Sequence, residues 1–134
     1  MASLTHEILT EVRPETVWDA IRDIGALHTR LVPGFVVKSE LVPGGRRVTF
    51  DDGLVVEEPV VDLDETLRRL AWTSVGTALR HYHASLQVFP REGGGSRIEW
   101  TTYFLPHEAA AVIEPRMTRA AAAMARALNG ARVT

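Results

Sequence analysis

The chain has 134 residues, of which 46% are apolar and 24% charged, a composition typical of one soluble globular domain spanning residues 1–134. The formal net charge is −2 and no long run of like charge occurs, so we expect no nucleic-acid partner. Because the sequence has no cysteine, disulfides, thiolate metal sites and cysteine nucleophiles are excluded.

The N-terminal ten residues lack the basic region and the apolar region of a signal peptide. No stretch of 18 apolar residues occurs, so we expect no stable membrane insertion and a cytoplasmic protein. Most basic residues are arginine and alanine is abundant, which fits a GC-rich bacterial genome. We therefore give the arginine excess no functional weight.

The first third of the sequence predicts one strand followed by two short helices. Residues 4–9 alternate loosely between polar and apolar and indicate the strand. Pro14 suits the first turn of a helix over residues 14–24. Proline has no backbone N–H, and the N–H groups of the first turn have no partner within the helix anyway. A second helix over residues 26–32 ends at Pro33-Gly34.

Six further strands are predicted between short turns, over residues 35–41, 46–51, 54–63, 67–75, 82–89 and 97–105. Asp52-Gly53 predicts a two-residue hairpin turn, in which both residues need positive φ. Because the connections are short, sequence neighbours should pair antiparallel as a meander.

A long helix is predicted over residues 106–129, with Gly130 as its C-cap. Pro115 either kinks this helix or marks its true start. We expect one stripe of the helix to meet the sheet, formed by Ile113, Met117, Ala120, Ala121, Met124 and Leu128.

This order of elements predicts an α+β helix-grip fold, in which a seven-stranded curved antiparallel sheet surrounds the long C-terminal helix. One helix is about 10 to 12 Å across, and seven strands spaced roughly 4.8 Å apart are far wider. A curved sheet therefore encloses more volume than the helix fills, and we expect an internal cavity.

Five short motifs carry a resemblance to a known superfamily over nearly the whole chain. They are residues 14–19, Asp23-Ile24-Gly25, Asp52-Gly53, residues 58–64 and Ile98-Glu99-Trp100. In this order they resemble the START-related helix-grip proteins (SRPBCC), which include polyketide cyclase/dehydrase-like proteins, the birch pollen allergen and plant abscisic acid receptors.

The resemblance implies an apolar or aromatic small molecule bound in the internal cavity, with or without polyketide cyclase or dehydratase activity. The alternative is a non-catalytic carrier or sensor of a lipid or other hydrophobic ligand. A third hypothesis is a homodimer built on the sheet edge or the helix. We expect no cofactor and no metal. Fold alone does not separate enzymes from binders.

Glu58 is the main candidate for acid–base chemistry or ligand recognition. Alternation from Leu54 and Val56 places it on an apolar strand face. A carboxylate there is costly unless it is paired, hydrated or given to a ligand. In the receptors that this sequence resembles, the matching acid lines the pocket. Two alternatives stay open: Glu58 pairs with an arginine, or the register slips and Glu57 faces inward.

Tyr82 is a second catalytic candidate, because it shares a strand face with Ala84, Leu86 and Val88. His81 and His83 then lie on the opposite face, and we expect them to point outward. In the reverse register both histidines enter the cavity and become metal-ligand candidates.

His28 is the third catalytic candidate, on the second short helix beside the expected cavity entrance. The entrance itself should be framed by residues 51–53 and 76–80, because the resembling receptors close over ligand with the corresponding loops. Besides Glu58 and Tyr82, the expected ligand contacts are Trp72, Trp100, Thr102, Phe104, Met117 and Met124.

Overall fold

A seven-stranded antiparallel sheet and one long helix dominate the structure, a computed structural model that describes residues 2–133 and the side chains of residues 2–130. The predicted domain limits, Met1 and Thr134, lie outside the described residues. The strands are β1 (Ala2–Thr10), β2 (Val36–Val42), β3 (Gly45–Phe50), β4 (Val55–Asp64), β5 (Arg69–Thr73), β6 (His81–Pro90) and β7 (Ser96–Leu105). The helix-grip fold is therefore confirmed.

The helices also follow the predicted order, with shifted ends. Helix α1 (Pro14–Arg22) starts at the predicted proline and gives way to a 3-10 turn, Ile24–Ala26. The second predicted helix is a single π-helical turn, Leu27–Leu31. A 3-10 turn, His107–Ala109, precedes helix α2 (Ala110–Val133).

Helix α2 departs from the prediction at Gly130 and excludes one of the two alternatives left open for Pro115. Pro115 lies inside the helix and does not mark its start. The helix also continues through Gly130, so the predicted C-cap is wrong. A glycine costs a helix only about 1 kcal/mol relative to alanine, which a helix of this length tolerates. The predicted stripe does face the sheet, since Ile113, Met117, Ala120, Met124 and Leu128 are all buried.

The sheet order is β1-β7-β6-β5-β4-β3-β2. Strands β2 to β7 form the predicted meander, and β1 adds to its far end beside β7. In that pairing Ile8 lies opposite Ile98, and both side chains are buried. The first strand is therefore held by the last one, and β2 forms the other edge.

The turn between β3 and β4 has three residues, where the sequence predicts two. Phe50 N–H donates to the Leu54 carbonyl at 2.9 Å, and Gly53 N–H donates to the Phe50 carbonyl at 3.0 Å. Gly53 supplies the positive φ that this turn needs, at 90°. The extra residue sets the register so that Arg46 lies opposite Glu58.

Candidate functional site

A cavity of about 460 Å³ lies between the inner face of the sheet and helix α2. This volume is within the range of about 300 to 1,000 Å³ that is usual for small-molecule pockets. Its lining is mainly apolar and includes Leu31, Val56, Leu86, Ile113, Met117 and Met124.

Strands β3 and β4 place a buried ion pair in the cavity wall. Arg46 Nε donates to Glu58 Oε1 at 2.8 Å, and the two side chains are only 4% and 8% exposed. Two further contacts hold the Arg46 side chain in place. Arg46 Nη1 donates to the Ile24 carbonyl at 3.4 Å, and the guanidinium lies 5.4 Å from the Trp72 ring centroid. A charged pair is therefore built into a mainly apolar wall.

The structure gives Glu58 the arginine partner of one alternative and places it at the cavity, while its role in acid–base chemistry or ligand recognition stays a prediction. The register slip is wrong, because Glu57 is exposed and Glu58 is buried. The pairing explains how a carboxylate is accommodated there, since a buried charge needs a partner.

Tyr82 borders the same cavity from β6. Burial raises the pKa of its phenol above the ordinary value of 10.0, and the nearby Glu58 carboxylate raises that pKa further, while Arg116 lowers it. The phenol therefore stays protonated at neutral pH. The Glu58 carboxylate accepts from Arg46 through Oε1, and it borders the cavity together with Tyr82.

Trp72 and Trp100 lie on the cavity wall, as do Met117 and Met124, in the positions expected for ligand contacts. Both indoles are buried, at 5% and 9% exposure. Within the described part of the chain, the Nε1 atoms of both tryptophans lack a hydrogen-bond acceptor. Each tryptophan therefore brings to the cavity wall an apolar ring and one indole N–H donor that lacks an acceptor among the described residues.

Thr102 and Phe104 are placed differently from the prediction. They share the inward face of β7, but each has 0% exposure and lies in packed core outside the cavity lining. Thr102 Oγ1 donates to Met117 Sδ at 3.3 Å, so the helix side chain covers it. Strand alternation gives the face of a residue, and the packing above it decides whether that face meets a cavity.

His28 also lies away from the cavity. Its Nδ1 is 2.8 Å from Ser39 Oγ on β2, and Ser39 donates its own proton to the Gly25 carbonyl at 2.9 Å. His28 Nδ1 is therefore the donor in the first contact. On the same π-helical turn, Leu27 and Leu31 face the cavity, which turns His28 toward β2.

His81 and His83 lie on the outer face of β6, as predicted. Tyr82 between them borders the cavity, and alternation directs its neighbours outward. The His83 ring packs against Tyr103, an exposed residue directly opposite it on β7, with ring centroids 6.3 Å apart.

Only part of the two loops expected at the entrance lines the cavity, since residues 51–53 and Arg80 are not among its lining residues. Residues 76–79 line it directly, and Phe50 and Leu54 line it from either side of the β3–β4 turn. Two ion pairs join this turn to α2: Arg116 Nη1 donates to Asp52 Oδ2 at 3.0 Å, and Arg119 donates to Asp51. We call these contacts the turn–helix pairs.

The fold, with a cavity between the sheet and α2, defines a helix-grip protein. Residues 1–131 match the model of the family described as polyketide cyclase / dehydrase and lipid transport, and the chain belongs to that family. No curated protein matches the sequence.

Several solved structures share the fold. A protein of Bacillus thuringiensis matches with a TM-score of 0.84 and 22% identity, over 95% of this chain and 98% of that one. The Zhui aromatase/cyclase of Streptomyces sp. R1128 matches with a TM-score of 0.80 and 18% identity, over 96% and 92%. Norcoclaurine synthase of Thalictrum flavum, in complex with dopamine and hydroxybenzaldehyde, matches with a TM-score of 0.74 and 21% identity, over 98% and 86%. At these identities the likeness establishes the shared fold alone.

None of the helices that the structure describes combines the length and the apolar character needed to cross a membrane.

Proposed function

We propose that this protein binds an apolar or aromatic small molecule in the cavity between the sheet and α2. The observation that carries the proposal is the cavity of about 460 Å³ with its mainly apolar lining. Removing apolar ligand surface from water contributes about 25 cal/mol per Å², so such a lining favours an apolar ligand body.

A cavity-filling variant tests the proposal. Ala120 is 2% exposed and borders the cavity, so Ala120→Phe should occupy part of its volume. Ala122 is exposed on the same helix, and Ala122→Phe is the matched control. Titration with the fluorescent probe N-phenyl-1-naphthylamine should show saturable binding that weakens at least fivefold in Ala120→Phe alone. Equal affinity in both variants would place the probe elsewhere.

Polyketide cyclase or dehydratase activity is the second candidate function. Three polar groups that border the cavity favour it: the Glu58 carboxylate, the Arg46 guanidinium and the protonated Tyr82 phenol. A cyclisation or dehydration needs a base to remove a proton and a donor to stabilise the developing oxyanion. Glu58 and Tyr82 supply these two capacities.

The non-catalytic carrier or sensor remains the alternative, and the family description itself includes lipid transport. Incubating the protein with an aromatic polyketide-like diketone and following the mass of the compound separates the two. Formation above the uncatalysed rate of a product lighter by 18 mass units, or of an isomer of equal mass that chromatography separates, supports the enzyme, whereas recovery of the unchanged compound from the protein supports the carrier.

The cytoplasmic location, the lack of a nucleic-acid partner and the homodimer stay predictions. Light scattering coupled to size-exclusion chromatography tests the homodimer directly.

A further inference from the structure

The Arg46–Glu58 pair and Tyr82 together form a polar subsite, and we propose that this subsite selects a neutral ligand that carries a hydroxyl group, a phenol or enol, over carboxylates and ammonium compounds. This inference rests on the proposed binding function and names the ligand class of the same cavity.

The first argument is charge. Arg46 and Glu58 carry opposite charges, both side chains are buried, and their 2.8 Å contact makes the subsite neutral overall. A carboxylate ligand has to share Arg46 with Glu58, and an ammonium ligand has to share Glu58 with Arg46. Either one leaves a net charge without a partner of its own in a mainly apolar cavity, which is unfavourable. The neutral pair therefore favours a neutral ligand.

The second argument is hydrogen-bonding capacity. The Glu58 carboxylate accepts from Arg46 through Oε1, and both Glu58 and Tyr82 border the cavity, so they offer it a carboxylate acceptor and a phenol donor. A ligand hydroxyl both donates and accepts, so it matches both kinds of group. A ketone or an ether only accepts, so it gives the carboxylate no hydrogen bond. A hydrogen bond to a charged acceptor is also stronger than one between neutral groups.

The third argument is rigidity. Arg46 and Glu58 are directly opposite each other on neighbouring strands, and the guanidinium is held by the Trp72 ring and the Ile24 carbonyl. Side chains fixed before binding lose little conformational entropy when the ligand arrives. The apolar walls formed by Val56 and Leu86 then hold the ring system of the ligand.

A matched set of naphthalenes tests the inference at pH 7: 2-methylnaphthalene, 2-naphthol, 2-naphthoate and 2-naphthylmethylammonium. Their ring systems are equal, and they differ in the one group that would meet the subsite. Displacement of N-phenyl-1-naphthylamine should show 2-naphthol binding about tenfold more tightly than 2-methylnaphthalene. The two charged compounds should bind more weakly than 2-methylnaphthalene.

Tyr82→Phe keeps the ring and leaves the ion pair intact, so it should fold and should reduce the preference for 2-naphthol to about threefold or less. Tyr103→Phe removes the exposed hydroxyl on the outer face of β7 and is the matched control, with the preference unchanged. A preference that persists in full in Tyr82→Phe would overturn the role of Tyr82 in this subsite.

The outcomes also separate this inference from the proposed function. Equal affinity for 2-naphthol and 2-methylnaphthalene, or tightest binding of a charged compound, overturns the inference and leaves cavity binding in place. Failure of every compound and of the probe to bind overturns both.

Discussion

The backbone of Gly45 passes so close to the carbonyl oxygen of Glu58 that a Cβ atom on Gly45 would lie 2.2 Å from it. The same Cβ would lie 2.9 Å from Pro59 Cα. Both obstacles are backbone atoms, so a side chain at Gly45 forces β3 and β4 apart next to the Arg46–Glu58 pair.

Gly45→Ala should therefore destabilise the fold by about 1 to 3 kcal/mol, as overpacking in a rigid core does. Urea unfolding followed by circular dichroism measures this. Gly130→Ala is the control, because no described residue outside the local helix backbone comes within 4 Å of its Cβ position, and the residue is in helix α2. That change should leave stability unchanged or raise it by up to about 1 kcal/mol. Equal effects of the two substitutions would contradict the steric argument.

The Arg46–Glu58 pair should show strong coupling in a double-mutant cycle. Glu58→Leu alone leaves the Arg46 charge buried without its partner and should cost about 3 to 5 kcal/mol of unfolding free energy. Arg46→Met combined with Glu58→Leu removes both charges and should recover most of that loss. Urea denaturation of the four proteins in the cycle gives the coupling, and additive single effects would show that the pair is not desolvated.

Tyr82 should make stability fall at alkaline pH. Its pKa is higher in the folded protein than the ordinary value of 10.0, so above that pH the unfolded chain loses the proton first. The unfolded state then binds fewer protons, and the free energy of unfolding falls by up to about 1.4 kcal/mol per pH unit. Below pH 10 this contribution to stability is fully present.

Tyr82→Phe should lack this part of the alkaline slope. The absorbance of the phenolate near 295 nm provides a second readout. When the pH titration of Tyr82→Phe is subtracted from that of the wild type, the difference should show no Tyr82 phenolate at pH 10. A difference spectrum with a midpoint at or below pH 10 would refute the raised pKa.

The turn–helix pairs should slow ligand exchange if the β3–β4 turn frames the entrance. Asp51→Asn with Asp52→Asn removes both carboxylates and keeps the side-chain oxygen that accepts from Leu54 N–H at 3.0 Å. Exposed ion pairs are worth about 0.2 to 1 kcal/mol each, so loss of both should accelerate dissociation of N-phenyl-1-naphthylamine about two- to thirtyfold. Stopped-flow fluorescence measures the rate, and 1 M salt should accelerate wild-type release in the same direction.

Hydrogen exchange tests the second loop at the entrance. Residues 76–79 line the cavity, so a bound ligand should slow exchange of their amides. The loop between β6 and β7, which does not line the cavity, is the internal reference. Exchange at 76–79 that ligand leaves unchanged would argue against a gating role for this loop.

The sequence predicted the architecture because strand alternation, turn residues and the helical stripe all agree. Glu58 and Tyr82 were placed on the correct faces for the same reason, since alternation within one strand depends only on local geometry. Trp72, Trp100, Met117 and Met124 also reach the cavity wall as predicted.

Arg46 was missed because its role depends on register between two strands. Counting the β3–β4 turn as two residues, Asp52-Gly53, sets Glu58 opposite Arg47, whereas the three-residue turn sets it opposite Arg46. Asp-Gly predicts a hairpin turn, but these two residues alone do not decide whether the turn has two residues or three. Thr102, Phe104 and His28 were misplaced because side-chain packing between elements, which has no sequence period, decides what borders a cavity.

The pairing of β1 with β7 bears on how the chain can be synthesised and folded. Ile8 emerges from the ribosome long before its partner Ile98, so β1 has no neighbouring strand while the middle of the chain is made. Contacts between such distant segments slow folding, because a long loop must close before they form. The cavity wall also needs Trp100 on β7, so the binding chamber cannot be complete before β7 has been made. A nascent chain that stops before β7 therefore presents an open apolar sheet, a surface that chaperones recognise.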